Sequence, residues 1–226
     1  GMNIQSLVTL IVIIAIAVLA IAFVVVMNDA ERRIPVQYAK RVVGRKMYGG
    51  QSTHIPIKIS MAGVMPIIFA VSIMSFPQTI NMFVNGNQTP GGFWGIVLNL
   101  FRQTHPFYIV VYFLLIVFFT YFYTAIQFNP IEISNNMKKN GGFIPGIRPG
   151  KPTSDFISRI LSKITLFGSL FLAVIAIFPI LLAFVPNLAG VSIGGTSLLI
   201  VVGVALETVK QMESQMLMRH YKGFLE

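Results

Sequence analysis

The chain has 226 residues, of which 55% are hydrophobic and only 11% charged. A soluble domain carries about 25% charged residues, so there is too little charge here to coat a globule, and a soluble enzyme is excluded. Basic residues outnumber acidic ones 17 to 7, and cysteine is absent, which removes disulfides, thiolate metal sites and cysteine nucleophiles.

The first uncharged apolar run covers residues 7–27. It lacks a basic leader, is too long for the core of a signal peptide and is followed by no small-x-small cleavage site, so it reads as a true span. Further runs at 61–80, 107–128 and 164–185 each approach the 20 residues that a helix needs to cross about 30 Å of hydrocarbon. The fifth is shorter: 198–206 is apolar and Glu207 follows it. A helix capped by Thr196 or Ser197 and continued to about Arg219 would still be long enough. The expectation is an all-α membrane protein with five transmembrane helices at about 5–28, 61–80, 107–128, 164–185 and 196–219, forming one five-span domain over 1–226.

The basic residues set the expected orientation. The connections 29–60 and 129–163 hold 13 basic against 4 acidic residues, about +9 of the total of +10, whereas 81–106 carries only Arg102 and 186–197 no charge. The positive-inside rule puts both basic loops in the cytoplasm, the N-terminus outside and the C-terminus inside. Five spans with an outside N-terminus match one half of an inverted-repeat transport fold.

Both basic loops exceed the usual length of a connection. In the first, Val36, Tyr38, Val42, Val43, Met47 and Tyr48 alternate with Lys40, Arg41, Arg45 and Lys46, and Gly49-Gly50 and Pro56 supply turn chemistry, so a hairpin with a basic tip is expected. In the second, Pro145, Gly146, Pro149, Gly150 and Pro152 stiffen the turn around Arg148 and Lys151. A bare charge anchor needs no such framing. Ordered basic protrusions fit an anionic partner: ribosomal RNA, an acidic protein surface or anionic lipid.

Within the spans, Pro66 and Pro77 with Ser72 and Ser75 mark the second helix as one that lines or hinges a pathway, or as an ordinary proline-bearing membrane helix. The third span is dense in aromatics and ends at Pro130. Glu207, with Lys210 one turn on, reads as an interfacial pair, the alternative being a residue that marks a pathway. His54, His105 and His220 are far apart, so no metal site, cofactor site, proton relay or catalytic pair is expected. A conduit wall built here would be aliphatic and would seal by dewetting.

The segments AERRIPVQYAKRVVGRKMYGGQSTHIPIK, MAGVMPIIFAVSIMSFP, YTAIQFNP, GGFIPGIRPGKPT, GGTSLLIVVGVALE and QMESQMLMRHYKGF resemble, in order, the C-terminal half of bacterial SecY proteins, the family of protein-conducting channels. The resemblance covers essentially the whole chain and corresponds to the last five of that family's ten helices. It implies a protein-transport function in the bacterial plasma membrane and no enzyme activity. Ile68 and Ile200 resemble members of the aliphatic pore ring, and Ser72 and Phe76 fall on the lateral-gate motif. Arg41, Arg45, Lys46, Arg148 and Lys151 resemble the docking residues for the SecA motor or the ribosome. The implied partners are the N-terminal half of the channel, SecE, SecG, SecA, the ribosome, the translocating preprotein and lipid. Alone, such a half is expected not to conduct and to self-associate through its open seam. The other readings open to the residues are a non-conducting membrane scaffold and half of a small-solute transporter.

Overall fold

A computed structural model describes residues 4–38, 41–43, 46–48, 52–86, 91–182, 184 and 195–222. The elements run α1 (Ile4–Asp29), β1 (Glu31–Tyr38), β2 (Arg41–Val43), β3 (Lys46–Tyr48), β4 (Ser52–Lys58), α2 (Met65–Asn85), α3 (Phe93–Leu100), α4 (Pro106–Gln127), α5 (Pro130–Lys139), β5 (Gly142–Phe143), α6 (Lys151–Leu182) and α7 (Gly195–Lys222). The fold is mostly helical, and the five short strands among the described residues correct the expectation of an all-α protein. The physical reason lies in ERRIPVQY and STHIPIK, where apolar and β-branched residues alternate with polar ones at the period of a strand.

Three helical stretches among the described residues are long and apolar enough to cross a membrane: Met65–Val84, Pro106–Lys139 and Lys151–Leu181. Helices α1 and α7 add 26 and 28 residues. Pro66 occupies the first turn of α2, where its missing N–H costs nothing, so of the two prolines in this region only Pro77 interrupts the helix interior. Helix α4 starts at Pro106, with His105 Nδ1 accepting from the Phe107 amide at 3.2 Å, and α5 starts at Pro130, with Asn129 Oδ1 accepting from Ile131 and Glu132. His105 is thus a helix cap. Helix α7 begins at Gly195, which puts Thr196 and Ser197 in its first turn and not at its cap. Helix α6 starts at Lys151, well before the apolar run inside it, so much of the expected 129–163 loop is helical.

Two apolar cores organise the chain. The larger joins Val24 of α1, Ile67, Ala70 and Met74 of α2, Tyr108, Tyr112 and Ile116 of α4, Phe171, Leu172, Ala173, Ala176 and Ile177 of α6 and Val202 of α7. Helix α4 shows how the pattern works. Tyr108, Tyr112, Ile116, Thr120 and Thr124 follow one another at i, i+4 spacing and are buried, while Val110, Leu114, Phe118, Phe122 and Ile126 form an exposed stripe. Buried threonines here bond along their own helices, Thr120 Oγ1 to the Ile116 carbonyl at 2.7 Å and Thr165 Oγ1 to the Leu161 carbonyl at 2.8 Å, leaving apolar faces to pack.

The second core lies at the other end of α6. Ile34, Val36, Ile57, Met137, Ile144, Ile157 and Leu161 are buried together, drawn from β1, β4, α5, the β5–α6 turn and the start of α6. Strand β1 pairs antiparallel with β4 from Glu31↔Lys58 to Gln37↔Ser52, and its last residues pair with β5 as Gln37↔Phe143 and Tyr38↔Gly142. Strands β2 and β3 form a separate two-stranded ladder between them in sequence. The residues facing away from this core, including Arg33, Pro35, His54, Pro56 and Lys58, are exposed, and the two prolines blunt the sheet against further strand addition.

The two cores meet where the chain turns from β4 into α2. At Gly168 of α6 an added Cβ would lie 2.5 Å from the Ile59 carbonyl oxygen, a backbone atom that cannot swing aside. Gly168→Ala is therefore expected to destabilise the protein by about 1–3 kcal/mol, seen as a lowered midpoint in detergent-solubilised thermal unfolding. Gly91→Ala, at an exposed position with open space around it, should stay within about 0.5 kcal/mol of the parent.

Candidate docking surface and channel face

Arg148 is held by the backbone and not by its own side chain. Ile144, Pro145, Gly146 and Ile147 form a β-turn closed by the Ile147 amide donating to the Ile144 carbonyl at 3.0 Å, and Gly146 takes φ +83°, the value that the third position of a type II turn demands. Beyond it, the buried Thr153 donates through Oγ1 to the Arg148 carbonyl at 2.9 Å, and the buried Ser134 of α5 donates through Oγ to the Gly150 carbonyl at 2.8 Å. Thr153 and Ser154 amides both donate to the Gly150 carbonyl and start α6. The turn is thus clamped from two helices, while the side chains of Arg148 and Lys151 are exposed. Each of these two cations is followed by a proline, Pro149 and Pro152.

The other expected docking residues lie on the hairpin side. Arg41 opens β2, across from Tyr48, and Lys46 opens β3, across from Val43; Arg45 lies outside the described residues. The β1–β5 pairing joins this arm to the arm that carries Arg148, so the two basic loops are one body with one apolar core. Arg32, Arg33, Lys58, Lys138, Lys139, Arg159 and Lys163 are also exposed on it, and Arg33 Nε bonds Glu31 at 2.7 Å. The result is a stiff cationic surface suited to an anionic partner.

On α2, Ile68, Ser72 and Phe76 follow at four-residue intervals and share one exposed face, with Ile68 40% and Phe76 64% accessible. Ser72 Oγ donates to the Ile68 carbonyl at 2.7 Å and Ser75 Oγ to the Ser72 carbonyl at 3.0 Å, so the hydroxyls are tied back onto the helix. The face is bounded by α4, against which Phe69 stacks on Phe119 at 5.6 Å. Ile200 stands apart on α7, half-buried. The two helices approach at Gly203, where a Cβ would meet Val64 Cγ2 at 2.9 Å. From that approach Ile200 and Ile68 each lie about one turn away, roughly 4.5 and 6 Å along their axes. The Glu207 and Lys210 side chains lie outside the described residues.

An exposed, largely apolar face on α2 is thus joined through residues 59–64 to a cationic body. The SecY family profile matches residues 2–209. The chain belongs to the SecY family. The protein translocase subunit SecY of Streptomyces galbus is 53% identical over 215 residues, 94% of this chain and 48% of that relative. The same subunit of Halalkalibacterium halodurans is 52% identical over 222 residues, 97% of this chain and 51% of that relative. The chain thus spans about half the length of the SecY relatives it matches. A solved protein-conducting channel superposes with a TM-score of 0.57 at 21% identity, over 94% of this chain and 50% of that one. A SecY structure concerned with how the plug domain stabilises the closed state of the translocation channel gives 0.57 at 20% identity with the same coverage. At that identity the likeness establishes the fold.

Ser134 and Thr153, which hold the Arg148 turn, were not legible beforehand. Nothing in the sequence ties Ser134 to a carbonyl 16 residues on, or Thr153 to the carbonyl of Arg148. Thr153→Val is expected to remove about 1 kcal/mol of hydrogen bonding and to loosen the turn without unfolding the chain. Amide exchange at Ile147 and Thr153 should then speed up about fivefold, with exchange in α4 unchanged.

Proposed function

We propose that this chain forms the C-terminal half of a protein-conducting channel, acting in secretion and membrane insertion of proteins across a bacterial plasma membrane. The reading rests above all on about 50% identity to translocase SecY subunits along nearly the whole chain. In it, α1, α2, α4, α6 and α7 are five spans, the last five of ten, with the N-terminus outside and the welded basic body in the cytoplasm. The positive-inside asymmetry supports that orientation. The chain works as a path and a seal, and the energy comes from a motor or from the ribosome.

Each part then has a role. Ile68 and Ile200, one turn from the α2–α7 approach, contribute to an aliphatic constriction that closes by dewetting. Ser72 and Phe76 lie on the face of α2 that parts from an opposing half to admit a signal sequence, with α4 as the flank of that gate. Arg148 and Lys151, with Arg41, Arg45 and Lys46, dock SecA or the ribosome. The remaining partners are the N-terminal half of the channel, SecE, SecG, the preprotein and lipid. Without the opposing half the chain does not conduct, and its exposed apolar seam favours self-association.

Co-expression with an N-terminal half tests this directly: the two should co-purify and restore preprotein export, and failure of two properly inserted halves to associate would overturn the reading. Arg148→Glu should leave insertion intact while weakening SecA or ribosome binding by roughly two orders of magnitude, the scale of a few kcal/mol of like-charge cost. In the reassembled channel, changing Ile68 and Ile200 together to Ser should raise resting ion leakage in a vesicle conductance assay, because a wetted constriction no longer seals.

A further inference from the structure

Helix α3 belongs neither to the basic body nor to the apolar helix core. At eight residues it is about 12 Å long, too short to cross a bilayer, and its sequence FWGIVLNL has no charge. None of its residues is buried, and Phe93 is 79% and Ile96 61% exposed. It carries Trp94, the single tryptophan of the chain. Such a surface facing water would be an association hazard.

The attachments of α3 give its depth. Gln78 Nε2 of α2 donates to the carbonyl of Phe101, the C-terminal cap of α3, at 3.1 Å. The Phe101 ring meets Phe107 in the first turn of α4 edge-on, with centroids 6.2 Å apart. Seven positions separate Gln78 from the end of α2 at Asn85, or about 10 Å of helix. That distance matches the roughly 5–10 Å by which an interfacial helix sinks into the headgroup–acyl boundary. A carbonyl at a helix end at that depth needs a donor other than water, and Gln78 supplies one for Phe101. Met82, Phe83 and Val84 near the end of α2 and Phe107 at the start of α4 are large apolar residues that are exposed as well. Arg102, exposed just beyond α3, is the one Lys or Arg of 81–106, and an arginine at an interface can bury its stem in apolar surroundings while its head meets a phosphate.

We propose that α3 is an interfacial anchor that lies in the plane of the bilayer, with phospholipid as its partner, in the leaflet at the C-terminal end of α2. This rests on α2 and α4 spanning the membrane and is independent of the docking role of the basic body. Because Trp94 is single, its fluorescence reports on α3 alone. The full chain is reconstituted in phosphatidylcholine vesicles, flotation establishes insertion, and emission is recorded with lipids brominated at shallow or deep acyl positions and with aqueous iodide. The expected result is blue-shifted emission, quenched most by shallow bromines and little by iodide. Strong iodide quenching, strongest quenching by deep bromines, or insensitivity to both would each overturn the proposal, putting α3 in water, in the acyl core or under protein respectively. Ile96→Glu should lose most of the bromine quenching, and unchanged quenching in that variant would also overturn it. A chain that fails to float with vesicles overturns the spanning reading of α2 and α4 together with this one; a chain that floats and fails the quenching test overturns this one alone.

Discussion

Strand β1 is the piece on which the rest of the basic body depends. It is bonded along its length to β4, and its last two residues reach β5, more than a hundred residues further along the chain. Ile34 and Val36 on its inner face meet Met137, Ile144, Ile157 and Leu161 from the second basic segment. Burying a side chain of that size stabilises by about 1.5–3 kcal/mol relative to leaving it in water. Several such contacts hold together two segments that would otherwise repel through their positive charge. Charge supplies what the surface attracts, and the apolar core beneath keeps that charge in one geometry.

The junction below β4 connects this body to the membrane helices. The chain passes Ile59 under the backbone of α6 at Gly168 and brings Val64 against Gly203 of α7 before α2 begins. Helix α6 itself runs 32 residues without a break in hydrogen-bonded register except at Pro179, from the Arg148 turn into the apolar core. A load applied at the exposed turn is therefore applied to a helix about 48 Å long, whose far part packs against α4 and α7. The Arg148 turn and the apolar helix core share this rod.

Much of this could be read from the residues. Uncharged runs located the long helices because the bilayer demands a fixed length of apolar chain, and the 13 cations located the polar body. Pro and Gly around Arg148 correctly implied a stiff turn, since Gly146 sits at a positive φ. What stayed hidden were contacts between distant residues. Neither the pairing of Tyr38 with Gly142 nor the bond from Ser134 to Gly150 leaves a periodic trace, and Gly168 looks like any glycine in a membrane helix until Ile59 is set beside it. The strands were legible as a hairpin, yet their fusion with the second loop was not, because a two-residue β5 is too short to carry alternation. The helical start of α6 was masked by its polar residues, which a membrane-length criterion discards.

The Arg148 turn has one consequence for survival in the cell. A surface loop that offers two exposed cations is an obvious substrate for trypsin-like proteases, which cleave after arginine and lysine. Here the bonds after Arg148 and Lys151 are both to proline, and such enzymes hydrolyse these tertiary amides poorly. The ring also removes the N–H that an extended substrate would offer to the protease. The same two prolines that stiffen the loop thus let its charges stand in the open without marking it for destruction.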